Sequence, residues 1–319
     1  MSLRLRLSMA TTVAVIIGVS TLGLTIVLGL FNQLNLYSLI ATVAIFNLAQ
    51  WLLAPYLVNR MYGVRQLEDG EKPELHSMVR ELSARSGIRA PKLMLSKIPI
   101  PNAFAYGSPL TGNHVAVTQG LLSELEDEEI EAVIGHELGH IKHRDMQVMM
   151  FISFLPSLFY IIARSTLFSR YYGGRNRRDS GGLALLGGVS MAIYFLLLLF
   201  NLSLSRLREY YADQHTASII PDGARKLSEG LAKISSSTWR IQRGHRASMA
   251  VSGFKTLFIS DPDRAMKDAA AIHQMRYGDD ELVRNIINRN VSTLDSFLEL
   301  FSTHPNIVKR LRALSGRIV

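Results

Sequence analysis

The stretch "EAVIGHELGHIKHRDMQVMMF", residues 131–151, sets His136 and His140 four positions apart, places Glu137 beside the first, and then runs into uncharged apolar sequence. On a helix the two imidazoles stack on one face, one turn apart. Both can then reach a single ion at about 2.0–2.1 Å. Glu137 projects from the neighbouring position, better placed to face water over the ion than to bind the ion itself. This is the donor pattern of zinc-dependent hydrolysis: the ion acidifies water and the glutamate takes its proton. The bland alternative is a chance match on an ordinary helix.

The apolar sequence that follows is one of several such blocks. The chain has 319 residues, 48% of them hydrophobic and only 19% charged. No Asp, Glu, Lys or Arg occurs between Leu7 and Asn59. That run holds two spans of roughly 20 residues each, parted by "FNQLNLY", and it is too long for a cleaved signal peptide. Met146–Ala163 and Ser180–Ser205 are a third and a fourth uncharged run. The net charge of +9 fits juxtamembrane Lys and Arg at a cytoplasmic face. No basic stripe with interleaved aromatics is present, so nucleic acid is not an expected partner. With no cysteine, disulfides and thiolate metal sites are excluded, and a metal must be held by nitrogen and oxygen.

Arg4 and Arg6 precede the first span, and Arg60 and Arg65 follow the second. Both ends of that hairpin are therefore expected in the cytoplasm. The loop between runs three and four, "RSTLFSRYYGGRNRRD", carries five arginines and one aspartate, against the positive-inside tendency. This second hairpin either overrides the rule or lies partly in the interface.

Between and after the apolar blocks the sequence is mixed in charge. "PELHSMVRELSARSGI" has helical spacing. "KLMLSKIPIPNAFAYGSPLTGNHVAVTQGLL" reads as short strands with a turn at "GSPLTGN". The helix carrying His136 is expected to start near Ser123, with Glu126 in capping-box spacing and acidic residues in its first turn. Residues 206–319 read as helical. "YYGGRNRRDSGG" (171–182) is the one low-complexity patch and reads as a mobile loop.

Spacing also sorts the class of metal site. A third histidine six residues after the second, behind a glycine, would be needed for one class; His143 and Met146 occupy those positions. His143 is expected at the surface or behind the site. An intramembrane site would bury the motif within an apolar span, whereas acidic turns precede it here. The remaining class takes a glutamate from a later helix. "SRLREYYADQHTA" offers Glu209 as that ligand, with Asp213 four residues on to accept a hydrogen bond from a ligand histidine. The alternative is an exposed carboxylate pair balanced by Arg206 and Arg208. If His136, His140 and Glu209 meet, runs three and four must together cross the membrane twice or not at all.

"PNAFAYG", "HELGHIKHRD", "SRLREYYAD" and "FSTHPNIVKRLRAL", with the N-terminal spans, make the chain resemble the HtpX-type membrane zinc metallopeptidases of peptidase family M48, relatives of the CAAX prenyl proteases. The resemblance implies a mainly α membrane protein with a small β-sheet, in which a gluzincin-type zinc-protease domain is interrupted by an apolar hairpin. The expected organisation is an N-terminal transmembrane hairpin (1–65), a first catalytic part (66–145), a second apolar hairpin (146–205) and a second catalytic part (206–319). The implied activity is zinc-dependent endoproteolysis of misfolded or damaged membrane proteins at the cytoplasmic face of the cell membrane. One Zn²⁺ per subunit sits on His136, His140 and Glu209, with Glu137 as general base. Partners would be unfolded membrane proteins, the lipid bilayer and auxiliary membrane quality-control proteins. Asn102, Ala103, Phe104 and Ala105 would border the cleft as an edge strand that pairs with a substrate backbone; an ordinary core strand is the alternative. His304 would donate to the tetrahedral oxyanion, with Arg310 supporting it or binding the substrate. The competing functions are a CAAX-type processing peptidase and a non-catalytic zinc-binding adaptor.

Overall fold

The computed structural model describes residues 36–172, 180–244 and 278–316. The first expected span, Arg4, Arg6 and most of the 171–182 patch lie outside the described residues. Fourteen elements follow in order: α1 (Leu36–Met61), β1 (Val64–Gln66), α2 (Pro73–Ser86), β2 (Lys92–Ser96), β3 (Ala103–Ser108), β4 (Gly112–Thr118), α3 (Gln119–Glu124), α4 (Asp127–Lys142), α5 (Asp145–Tyr172), α6 (Ser180–Ile219), α7 (Gly223–Gly244), α8 (Asp279–Ile287), α9 (Thr293–Glu299) and α10 (Ile307–Leu314).

Three helical segments among the described residues are long and apolar enough to cross a bilayer: Ile40–Met61, Asp145–Thr166 and Ala184–Ile219. The last belongs to α6, whose 40 residues make about 60 Å of helix. The chain divides into two compact units, 1–50 with 148–201 and 51–147 with 202–319. The divisions at 50, 147 and 201 fall inside α1, α5 and α6, which run unbroken from one unit into the other. The described residues of the first unit are helical, with Tyr160 packed on Tyr194 at 5.2 Å between ring centroids.

The second unit holds the sheet, in strand order β1-β2-β4-β3. Strand alternation sorts its side chains. Leu93, Leu95, Ala103, Val115 and Val117 face a core shared with α2, α4, α7, α8 and α10. Met94, Phe104, Tyr106 and Ala116 face the other way, onto Tyr62. That period of two is what a sheet covered on both faces requires. β3 pairs antiparallel with β4, Ala105 opposite Val115, and has no strand on its other side among the described residues.

The helix carrying His136 starts at Asp127, not near Ser123. Leu125 is extended (φ −104°, ψ 148°) and separates α3 from α4. Ser123 lies inside α3, its Oγ donating to Gln119 O. The capping box stands three residues later, where Glu129 Oε2 accepts the Glu126 amide at 2.9 Å.

Candidate metal centre

α4 is buried along most of its length, so its side chains are held by packing. His136 is 1% exposed and Glu137 3%. α6 crosses it closely because α4 offers two glycines one turn apart. A Cβ on Gly139 would meet Ala212 Cα at 3.0 Å and its Cβ at 3.2 Å, and one on Gly135 would meet Ile220 Cδ1 at 2.8 Å. This contact brings Glu209 and Asp213 of α6 against the α4 histidines.

The ligand atoms of His136, His140 and Glu209 all lie within 4.8 Å of one another. The two Nε2 atoms are 3.2 Å apart. Glu209 Oε2 is 3.5 Å from His136 Nε2, and its Oε1 is 3.6 Å from His140 Nε2. Each histidine has a carboxylate behind it. Asp213 Oδ1 lies 3.0 Å from His136 Nδ1, and Asp145 Oδ2 lies 2.6 Å from His140 Nδ1. A carboxylate there can accept a hydrogen bond from Nδ1–H, which leaves the Nε2 lone pair free for a metal ion. Asp145 has no counterpart in the sequence reading. It reaches back because Arg144, at φ 56°, breaks α4 from α5 in the left-handed region, which costs a non-glycine residue about 1–2 kcal/mol.

Each aspartate has a guanidinium behind it in turn. Arg208 Nη1 donates to Asp145 O at 3.2 Å and lies 3.7 Å from its Oδ2. Arg310 Nε and Nη2 donate to the two oxygens of Asp213 at 2.9 and 2.6 Å, and its Nη1 is 3.1 Å from Glu209 Oε2. Arg310 is 1% exposed, so the expected contact with substrate gives way to a place beneath the ligands. Burial would lower its pKa, but Asp213 and Glu209 outweigh that and hold it charged. Burial likewise disfavours a charged His136, yet Asp213 and Glu209 pull its pKa up to about 9. The pocket therefore draws positive charge. Asp145 lies against Arg208, and Glu209 and Asp213 lie against Arg310. Two imidazole nitrogens and a carboxylate suit a divalent cation.

Glu137 Oε2 accepts the Ala105 amide of β3 at 2.7 Å. This aims Ala105 away from β4, and alternation gives Ala103 and Gly107 the same outward direction. Asn102 is turned the other way: its amide donates to Thr118 Oγ1 at 2.9 Å and its carbonyl accepts Thr118 N at 3.0 Å. Phe104 is buried on Tyr62 at 5.2 Å between centroids. Of the four expected cleft residues, Ala103 and Ala105 face the open edge, while Asn102 and Phe104 serve the sheet. Among the described residues β3 is an edge strand, and its aromatics Phe104 and Tyr106 are core.

His304 joins the cluster from the loop before α10, its Nδ1 3.3 Å from Glu209 Oε1. His143 caps α4, is exposed, and has its ring 5.9 Å from those of Tyr211 and His215.

Comparison with known proteins places this arrangement. The chain matches peptidase family M48 over residues 69–318. It is 34% identical to "Protease HtpX homolog" of Thermoplasma acidophilum, across 98% of this chain and 97% of that one. It is 39% identical to the protein of the same name in Pyrobaculum calidifontis, across 88% and 76%. The crystal structure of S. mikatae Ste24p has a similar fold, with a TM-score of 0.56 at 19% identity, and the match covers 96% of this chain and 64% of that one. With the family match running through every residue of the site, the chain belongs to peptidase family M48 and is a membrane metalloprotease of the HtpX type.

Proposed function

We propose that this protein is a zinc-dependent endopeptidase of the cell membrane that hydrolyses peptide bonds of misfolded or damaged membrane proteins at the cytoplasmic face. One observation carries the reading: the ligand atoms of His136, His140 and Glu209 converge within 4.8 Å, while the adjacent Glu137 binds the edge of β3 instead of joining them. A purely structural metal site has no use for that carboxylate.

Zinc on these three residues supplies the Lewis acidity that polarises a peptide carbonyl and lets water ionise near neutral pH. The protein's own groups do the rest. The Ala105 amide fixes Glu137 Oε2, which leaves Oε1 to take the proton of the attacking water and pass it to the departing amine nitrogen. Asp213 and Asp145 hold the histidine rings through Nδ1. His304 and Arg310 keep Glu209 ionised in a buried place, and Arg310 does the same for Asp213. His304 is the proposed donor to the oxyanion, steered by Glu209. A substrate in extended form adds to the open edge of β3. The Ala105 amide is already engaged, so pairing falls on the other outward groups at Ala103 and Gly107. Recognition through main chain asks for an unfolded segment more than for a sequence, which suits quality control.

Arg60 in the last turn of α1 and Arg65 just after it favour the cytoplasm for the catalytic unit, with α5 and α6 crossing as a pair. The bilayer and unfolded membrane proteins are then its partners, together with auxiliary membrane quality-control proteins. The test uses the purified full chain in lipid. Metal analysis should find zinc near one per chain. Casein cleavage should stop with a chelator and return with zinc. Cleavage of a prenylated peptide alone, with casein untouched, would replace this reading with a dedicated processing peptidase; no cleavage of either would leave a zinc-binding adaptor.

A further inference from the structure

Away from the metal centre, the catalytic unit turns a rigid apolar face outward. Leu294, Phe297, Leu300 and Phe301 are 57%, 56%, 46% and 54% exposed. Phe297 and Phe301 pack edge to face at 5.7 Å between centroids. Four large apolar side chains within eight positions form the kind of patch that marks an interaction surface.

The face is held in shape from behind. α9 opens with a capping box between Ser292 and Asp295. Leu298 and Glu299 point inward and are buried. The Glu299 carboxylate accepts the Asn306 amide at 3.0 Å and pairs with Lys309 at 2.6 Å. The apolar residues therefore face outward by construction.

The position of this face along α6 identifies what covers it. Arg206 Nη1 donates to the carbonyls of Glu299, Leu300 and Ser302 at 2.8, 3.3 and 2.8 Å. Arg206 is also the first charged residue after the uncharged run 180–205. Arginine takes that position where an apolar helix leaves the hydrocarbon for the headgroups. Tyr211, 56% exposed five residues further along the same helix, is an aromatic of the kind that favours this boundary. The 294–301 face is thus pinned to the level of α6 at which a membrane surface lies. We propose that Leu294, Phe297, Leu300 and Phe301 form an interfacial wedge that seats the catalytic unit on the surface of its own bilayer. Phe301 precedes His304 by three residues, so the wedge sets the height of the cleft above the lipid.

The chain has no cysteine, which gives a clean background for single spin labels. Phe297→Cys, Phe301→Cys and, as a reference, Arg284→Cys on exposed α8 are each labelled in the full chain and reconstituted in phosphatidylcholine–phosphatidylglycerol vesicles. Accessibility to oxygen and to a water-soluble nickel complex reads depth. The labels at 297 and 301 should lie about 5–10 Å beneath the headgroup surface, open to oxygen and shielded from nickel, with the label at 284 in water. Labels at 297 and 301 as open to nickel as the one at 284 would overturn the proposal. So would labels at 297 and 301 shielded from both reagents, because a protein surface, from an unfolded substrate or a second copy, would then cover the face.

Discussion

His140 Nδ1 lies 2.6 Å from Asp145 Oδ2, across the break at Arg144 that separates the two helices bearing them. His136 Nδ1 lies 3.0 Å from Asp213 Oδ1, although that aspartate comes from a helix far along the chain. The two ligand histidines are thus oriented by matching carboxylates, each backed by an arginine. Removing one member at a time separates orientation, charge and chemistry.

Asp145→Asn keeps the shape at His140 but removes the charge that sets its tautomer. Zinc affinity should fall about 10–100-fold, with the fold intact. Titration against a chromophoric chelator measures it, and wild-type affinity would remove Asp145 from the site.

Glu137→Gln should keep zinc at the wild-type level, since Glu137 is not a ligand and an amide oxygen can still accept the Ala105 N–H. Cleavage of casein should fall by about 10²–10⁴-fold, the usual share of a general base. Retained activity would contradict the assigned base.

Arg310→Met leaves Asp213 and Glu209 buried without their cation. The loss should be about 3–5 kcal/mol of stability, with weaker zinc binding. Arg310→Lys restores charge but not the two-pronged contact, and should fall between. Thermal unfolding and metal content decide this. A variant of wild-type stability with only a raised KM would return Arg310 to the substrate.

Gly139→Ala drives a methyl group into Ala212. About 1–3 kcal/mol of overpacking is expected, with weaker zinc binding because α4 and α6 must part. Ala212→Gly in the same chain should recover part of both. No change in either would mean that the two helices are free to separate.

His304→Ala should keep zinc and fold, hold KM within a few-fold, and lower kcat on the order of 10²-fold. Loss of zinc would make His304 a ligand.

Much of the site was legible because it obeys local periodicity. His136, Glu137 and His140 follow one helix's spacing, and so do Glu209 and Asp213. The alternation of Leu93, Leu95, Val115 and Val117 foretold strands in the same way. What escaped depends on backbone breaks or on distant partners. Asp145 belongs to the site because of a positive φ at Arg144, which spacing does not reveal. Gly135 and Gly139 gain meaning only against Ala212 and Ile220. Arg310 is read from the sequence as supporting His304 or binding the substrate, because its sequence neighbours say nothing of Asp213. The outward set of β3 needed the register with β4 before Ala103 and Ala105 could be told from Asn102 and Phe104.

The parts of the metal centre come from the chain in a fixed order: α4 first, Asp145 next, Glu209 and Asp213 only after α5 and most of α6, and Arg310 later still. A ribosome making this protein therefore delivers the histidines well before their glutamate, and the glutamate before the arginine that helps keep it ionised. During synthesis the emerging chain holds His136, Glu137 and His140 before Glu209, so the three-residue cluster closes only once α6 has been made.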